Sequence, residues 1–135
     1  MIDTGEVCDE GANNSDVLAD VCRTSCVLPS CGDGVTDQNE GCDEGTNNSN
    51  TLANVCRTSC ILPGCGDSVL DNGEACDNGV NNSDLVADAC RTTCVIASCG
   101  DGVVDDGENC DGGVNNSDLV ANACRATCIL PSCGD

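Results

Sequence analysis

Apolar residues along this chain come singly or in pairs, never in long runs. Val, Leu, Ile, Ala and Cys are interrupted every few positions by Asp, Asn, Gly, Ser and Thr. That pattern does not sustain the repeating apolar face of a long helix or the alternation of a long strand. It predicts short elements only. "SDLVADACRTTC" (83–94) reads as a short helix, with Ser83 as N-cap and Asp84 in the first turn. Cys90 and Cys94, four apart, would then share one face. "GVVD" (102–105) reads as a short extended stretch, as do "CVLP" (26–29) and "CILP" (60–63 and 128–131). Pro29, Pro63 and Pro131 end the latter stretches, and Ala97 stands in that place in one copy.

The short elements recur. The cysteines fall at Cys8, Cys22, Cys26, Cys31, then Cys42, Cys56, Cys60, Cys65, then Cys76, Cys90, Cys94, Cys99, then Cys110, Cys124, Cys128, Cys133. Each set repeats the previous one at an offset of 34. The divisions are a partial repeat over 1–30, full repeats over 31–64, 65–98 and 99–132, and the start of a further one at 133–135. A period of this length also occurs in helix-pair repeats. The Gly, Asn and Asp content and the cysteine ladder exclude that architecture here. One unit is too small to bury a core alone, so the fold class expected is small, disulfide-rich and mostly irregular. Four repeats would form a linear, solenoid-like array, with a short helix and short strands in each.

Composition sharpens this. The chain of 135 residues has no Phe, Tyr or Trp, the largest units of buried area. Its 16 cysteines are about 12% of the residues, above the density that marks a disulfide scaffold. Such a scaffold needs an oxidising compartment, so the expected location is extracellular or the cell surface. The chain has no His and no paired zinc knuckles, which argues against a zinc protein. No apolar stretch is long enough to span a bilayer, and no signal-peptide pattern opens the chain. Connectivity stays open, because four cysteines per unit allow three pairings. If each "CGD" cysteine pairs forward, Cys133 is left over together with one of Cys8, Cys22 and Cys26, and those two would bond between chains. If it pairs backward, all sixteen close within one chain.

Charge raises a separate question. There are 24 acidic residues against four arginines, a net charge of −20. That disfavours nucleic acid and anionic membranes as partners. The acids recur in register. "DGVVDDGE" (101–108) matches the second half of an EF-hand loop at Asp101, Gly102, Val103, Val104, Asp105 and Glu108. The first half does not match, since Ala97 and Cys99 fall at its ligand positions. Asp111 is the nearest further oxygen donor. The sets Asp33, Asp37, Glu40, Asp43 and Asp67, Asp71, Glu74, Asp77 repeat the arrangement, with Ser68 replacing a glycine, a change expected to loosen the turn. These residues predict a calcium site, about one per repeat, because calcium takes six to eight oxygens and the compact acidic loop needs a counter-ion. The bland alternative is a solvated acidic turn. Arg23, Arg57, Arg91 and Arg125, one per unit, are the only side-chain cations, and each is expected to form a structural salt bridge. Asn13, Asn47, Asn81 and Asn115 are formal glycosylation acceptors whose simpler role is in turns.

"CGDGVVDDGENCD" followed by "ACRATC" resembles the cysteine-rich repeats of myxobacterial and related bacterial surface proteins, and more distantly the calcium-binding Lin-12/Notch-type modules. The resemblance covers all four units. It implies secreted, repetitive, non-enzymatic proteins that serve as stalks or surface appendages. The chain departs from it in reading "CDGGVNN" or "CDEGTNN" after the loop.

The chain starts inside a unit and ends on "CGD". The two ends would rebuild the acidic motif between copies, one residue short, with calcium held by Asp135 of one chain and Asp3, Glu6 and Asp9 of the next. The expected partner is therefore the chain itself, in a head-to-tail homopolymer. No nucleophile stands beside a base, so no enzyme is expected. The leading function is a structural, calcium-stabilised, disulfide-crosslinked extracellular filament or stalk. The alternative is a calcium-dependent adhesin or ligand-binding array that recognises its target through Val17, Thr51, Leu85 and Leu119.

Overall fold

A computed structural model describes residues 2–133. Asp135, expected to bind metal, lies outside the described residues. The chain divides into two compact units, Met1–Gly64 and Cys65–Asp135. Each contains copies of the same module.

The module is built from turns. Its one regular element is a single 3-10 turn, at Gly11–Asn13, Gly45–Asn47, Gly79–Asn81 and Gly113–Asn115. The described residues contain neither the expected α-helix over 83–94 nor the strands at 26–29, 60–63, 102–105 and 128–131. The helix fails for a local reason. Ser83 Oγ accepts the Leu85 amide, as an N-cap would begin. Asp88 then adopts φ 60°, a left-handed conformation that breaks the helical path. The Arg91 guanidinium takes the carbonyls of Ser83, Val86 and Ala89, at 3.3, 2.9 and 3.2 Å. In a helix over 83–94 all three oxygens would instead accept amides one turn later. The extended stretches stay single. Val27 accepts the Arg23 amide and closes a tight turn with Cys26, so no neighbouring strand pairs with it.

Disulfides supply the core. Seven form: Cys8–Cys22, Cys42–Cys56, Cys76–Cys90 and Cys110–Cys124 span 14 positions, and Cys31–Cys60, Cys65–Cys94 and Cys99–Cys128 span 29. Each short bond is nested inside a long one in every full repeat. The "CGD" cysteine therefore pairs forward, and both bonds of each full repeat fall within 31–64, 65–98 or 99–132. Cys26 and Cys133 are left as free thiols. The buried apolar residues are all cysteines, Cys22, Cys56, Cys60, Cys90, Cys94 and Cys128. No described aliphatic side chain is buried: Val21, Val35, Val55, Val69 and Val103 are half-buried, and Val80, Val114 and Leu119 are 96–97% exposed. Hydrophobic burial of side chains thus contributes little, and crosslinks and polar contacts must hold the chain against its conformational entropy.

Candidate functional site at the joint between repeats

The polar core of each module is an arginine. Arg23, Arg57 and Arg91 are buried, at 4–6% exposure. Arg23 Nε donates to Asp33 Oδ2 at 2.8 Å, and its Nη2 donates to Asp33 Oδ1 at 3.2 Å and Asp37 Oδ2 at 2.5 Å. Nη1 serves the carbonyls of Ser15, Leu18 and Val21. The guanidinium is thus saturated by two carboxylates and three carbonyls. Arg91 repeats this with Asp101 at 2.8 Å and Asp105 at 2.6 and 2.8 Å. Ion pairing holds the Asp101 carboxyl below its usual value: the hydrogen bond from Arg91 is the main cause, and burial opposes it.

These contacts run forward. Arg23 belongs to the first repeat, and Asp33 and Asp37 to the second. Arg91 belongs to the third repeat, and Asp101 and Asp105 to the fourth. A reciprocal pair locks the same joint. Asp37 Oδ1 accepts the Asp20 amide at 2.6 Å, and Asp20 Oδ1 accepts the Gln38 amide at 2.6 Å. Asp88, Asp105 and Asp106 reproduce it. Sequence reading missed Asp20 and Asp88. Their recurrence with Asn54 and Asn122 at one repeat position was the available signal, since Asp and Asn tolerate the left-handed backbone found at all four.

The acid after each short-bond cysteine does different work. Asp43 Oδ2 accepts the amides of Gly32, Asp33 and Gly34 at 2.8, 3.1 and 3.2 Å, a nest of donors around one oxygen. Its Oδ1 accepts the Gly45 amide and Asn48 Nδ2. Asp77 and Asp111 do the same in their repeats. Burial raises the pKa of these carboxyls, but the amides outweigh it and hold each below the ordinary value. Asp9 keeps the bonds from Gly11 and Asn14. The nest constrains its backbone too. Gly45 and Gly113 stand with φ near +60°, and a Cβ there would meet the Cα of Gly34 or Gly102 at 3.4–3.5 Å. Ser68 keeps the amide bond to Asp77 made at this position by Gly34 and Gly102 to their own aspartates. It holds φ +74° where Gly34 and Gly102 hold +91° and +93°, and its hydroxyl fills the space above Gly79.

Glu6, Glu40, Glu74 and Glu108 close the small turn before them. Each Oε2 accepts the amide three residues earlier, from Asp3, Asp37, Asp71 and Asp105, at 2.7–3.0 Å. In the three full repeats the glutamate also lies beside the long disulfide. The groups Cys31–Glu40–Cys60, Cys65–Glu74–Cys94 and Cys99–Glu108–Cys128 bring ligand atoms within 4.8 Å and can hold a metal ion, one per repeat. In all three the sulfurs are bonded to each other. An oxidised pair has no thiolate to offer, so metal binding through sulfur and the crosslink are alternatives.

The residues expected to surround calcium therefore go to separate centres. Asp33, Asp37, Asp101 and Asp105 meet a guanidinium. Asp43, Asp77 and Asp111 meet backbone amides, and Glu40, Glu74 and Glu108 meet the disulfides. Asp67 and Asp71 stand at the same repeat positions as the first group. At these aspartates, guanidinium or backbone N–H groups donate to the carboxylate oxygens. No family model matches the chain, and neither a curated protein nor a solved structure matches it.

Proposed function

We propose that the chain is a structural repeat protein of an oxidising, extracellular or cell-surface setting, whose copies join head to tail into a filament or stalk. The directed joint is the observation that carries this reading. Every described ion pair of Arg23 and Arg91 reaches forward into the next repeat. A module with a cationic socket at one end and paired aspartates at the other can add copies of itself head to tail. Seven disulfides call for an oxidising compartment. Among the described residues no helix is long and apolar enough to cross a membrane.

Calcium enters as a surface ligand in this proposal. It neutralises exposed carboxylate oxygens on a chain of net charge −20 and is not required to shape the loop. Electron microscopy of the purified protein tests both parts. Filaments that persist in EDTA support assembly through the joint, filaments that dissolve return calcium to a structural role, and monodisperse single chains under every oxidising condition refute assembly. The adhesin reading has one observation in its favour. Val17, Leu85 and Leu119 share a repeat position with Thr51 and are 80–96% exposed, apolar side chains that no contact within their own modules covers.

A further inference from the structure

The two disulfides of a full repeat have different surroundings. Among the described residues, a carboxylate joins two sulfurs within 4.8 Å at the long bonds only, as Cys31–Glu40–Cys60, Cys65–Glu74–Cys94 and Cys99–Glu108–Cys128. Glu40 Oε2 accepts the Asp37 amide at 2.8 Å, and no described donor reaches its Oε1. Glu74 and Glu108 are placed in the same way. All three glutamates are half-buried. The two cysteines of each group stand 29 positions apart, so the fold assembles this ligand set, and its spacing is not that of a zinc knuckle.

The long bond is also the one that a thiol in solution reaches first. Cys31, Cys65 and Cys99 are exposed, whereas every cysteine of a short bond is half-buried or buried. Attack on a disulfide needs access to one sulfur and a good leaving group at the other. The exposed sulfur of Cys31 faces the Thr58 carbonyl at 3.4 Å, a poor setting for a thiolate. Its partner Cys60 instead meets an N–H donor, Asn48 Nδ2 at 3.5 Å. Asn82 and Asn116 stand at 3.4 Å from Cys94 and Cys128. A donor at sulfur favours the charged form, so Cys60 is the better leaving group. Cys56, in a short bond, has the Ile61 carbonyl at 3.9 Å.

We propose that these three groups are zinc sites of the reduced protein, each made of two thiolates and one glutamate once the long disulfide opens. The inference is independent of the head-to-tail reading. The reductant is a small thiol such as glutathione. Its thiolate attacks Cys31 Sγ, giving a mixed disulfide and the Cys60 thiolate. A second glutathione thiolate attacks the glutathione sulfur and releases the Cys31 thiolate. One protein disulfide is reduced, two glutathiones become one glutathione disulfide, and their two protons pass to solvent as zinc takes both thiolates. Zinc–sulfur bonds of about 2.3 Å at tetrahedral angles set the sulfurs about 3.8 Å apart. That separation lies inside the 4.8 Å that already encloses the three ligand atoms. Water completes the tetrahedron. Sulfur selects zinc over calcium, which takes oxygen. The ion then ties together the same two points of the chain as the crosslink it replaces.

The test uses the full chain with Cys26→Ser and Cys133→Ser, in which every remaining cysteine is one of a bonded pair. The protein is equilibrated without oxygen in increasingly reducing glutathione buffers, and alkylation with peptide mass mapping records which pairs have opened. Parallel samples are freed of glutathione and titrated with cobalt(II), a coloured probe for tetrahedral zinc sites. The long pairs should open before the short ones. Thiolate-to-cobalt and tetrahedral cobalt absorption should then saturate at one ion per opened long pair, and zinc but not calcium should displace it. Replacing Glu40, Glu74 and Glu108 together by Gln keeps an oxygen for the turn amide and removes the anionic ligand. The oxidised amide NMR spectrum should be preserved and cobalt affinity should fall at least about tenfold. Without any substitution at the glutamates, zinc should slow reoxidation of the opened long pairs by oxidised glutathione. Short pairs that open first, cobalt held as tightly by the triple variant or by protein with every disulfide intact, or reoxidation at equal rates with and without zinc, would each overturn the proposal.

Discussion

The two disulfides of a repeat are nested, and the nesting sets how much each should stabilise. In the fourth repeat Cys110–Cys124 spans 14 positions inside Cys99–Cys128, which spans 29. In the chain-entropy account, closing a ring of about 15 residues stabilises by about 3 kcal/mol and one of about 30 residues by about 3.6 kcal/mol. With the inner bond present, the outer one closes only about 16 further residues, again about 3 kcal/mol. With the outer bond present, the inner one adds the remainder, about 2.5 kcal/mol. Replacing Cys99 and Cys128 by Ser should therefore cost about 3 kcal/mol, replacing Cys110 and Cys124 about 2.5, and replacing all four about 6. The last figure is comparable to the whole stability of an ordinary domain, about 5–15 kcal/mol. No aromatic core is present to compensate, so the fourfold variant should leave residues 99–132 unfolded. Cys65–Cys94 and Cys76–Cys90 should still hold the third repeat. The chain has no Trp or Tyr to report unfolding by fluorescence. Amide NMR resonances across a urea titration serve instead, in a Cys26→Ser, Cys133→Ser background that prevents exchange. The reasoning is refuted if either pair can be removed for less than about 1 kcal/mol, within the range of a surface substitution or a weak contact. It is also refuted if losing the inner pair costs more than losing the outer.

Three further outcomes are expected. Arg91→Lys keeps the charge but loses the planar fork, so hydrogen exchange should accelerate at the Asp88 and Asp106 amides, which close the joint around Asp105; unchanged protection would show that the fork is dispensable. The carboxyls of Asp43, Asp77 and Asp111 titrate below their unfolded value of about 3.9, so their contribution is complete above that pH and is lost as pH falls through the folded pKa; urea midpoints that stay level between neutral pH and pH 2 would contradict this. Ser68→Gly should raise stability by about 1 kcal/mol by relieving a left-handed non-glycine residue, and Gly102→Ala should lower it by a similar amount, since its Cβ meets only the φ penalty; calorimetric midpoints moving the other way would refute both.

The repeat period, the disulfide-rich character and the lack of a conventional core are all legible in the residue order. Each depends on spacing and composition alone. Cysteine register specifies where modules can lie, and the absence of aromatic residues specifies what cannot hold them together. The arginine was legible as the one cation available to each cluster. Its exact partners were not, because Arg23 reaches Asp33 and Asp37 in the following repeat, and such pairings depend on how two loops fold against each other. The helix over 83–94 was misread for a related reason. Local propensity favours it, but the Arg91 side chain competes for its carbonyls and Asp88 turns left-handed. Calcium was expected from the density of carboxylates in sequence, whereas the backbone amides that gather around Asp43, Asp77 and Asp111 are visible only in the folded chain. Connectivity was undetermined for the same kind of reason: three pairings satisfy the same spacing, and only the folded chain brings Cys31 to Cys60 rather than to Cys26. Sequence thus determined the unit and its count. Tertiary structure decided the direction in which each unit reaches, because that direction is set by which donors and sulfurs meet in space.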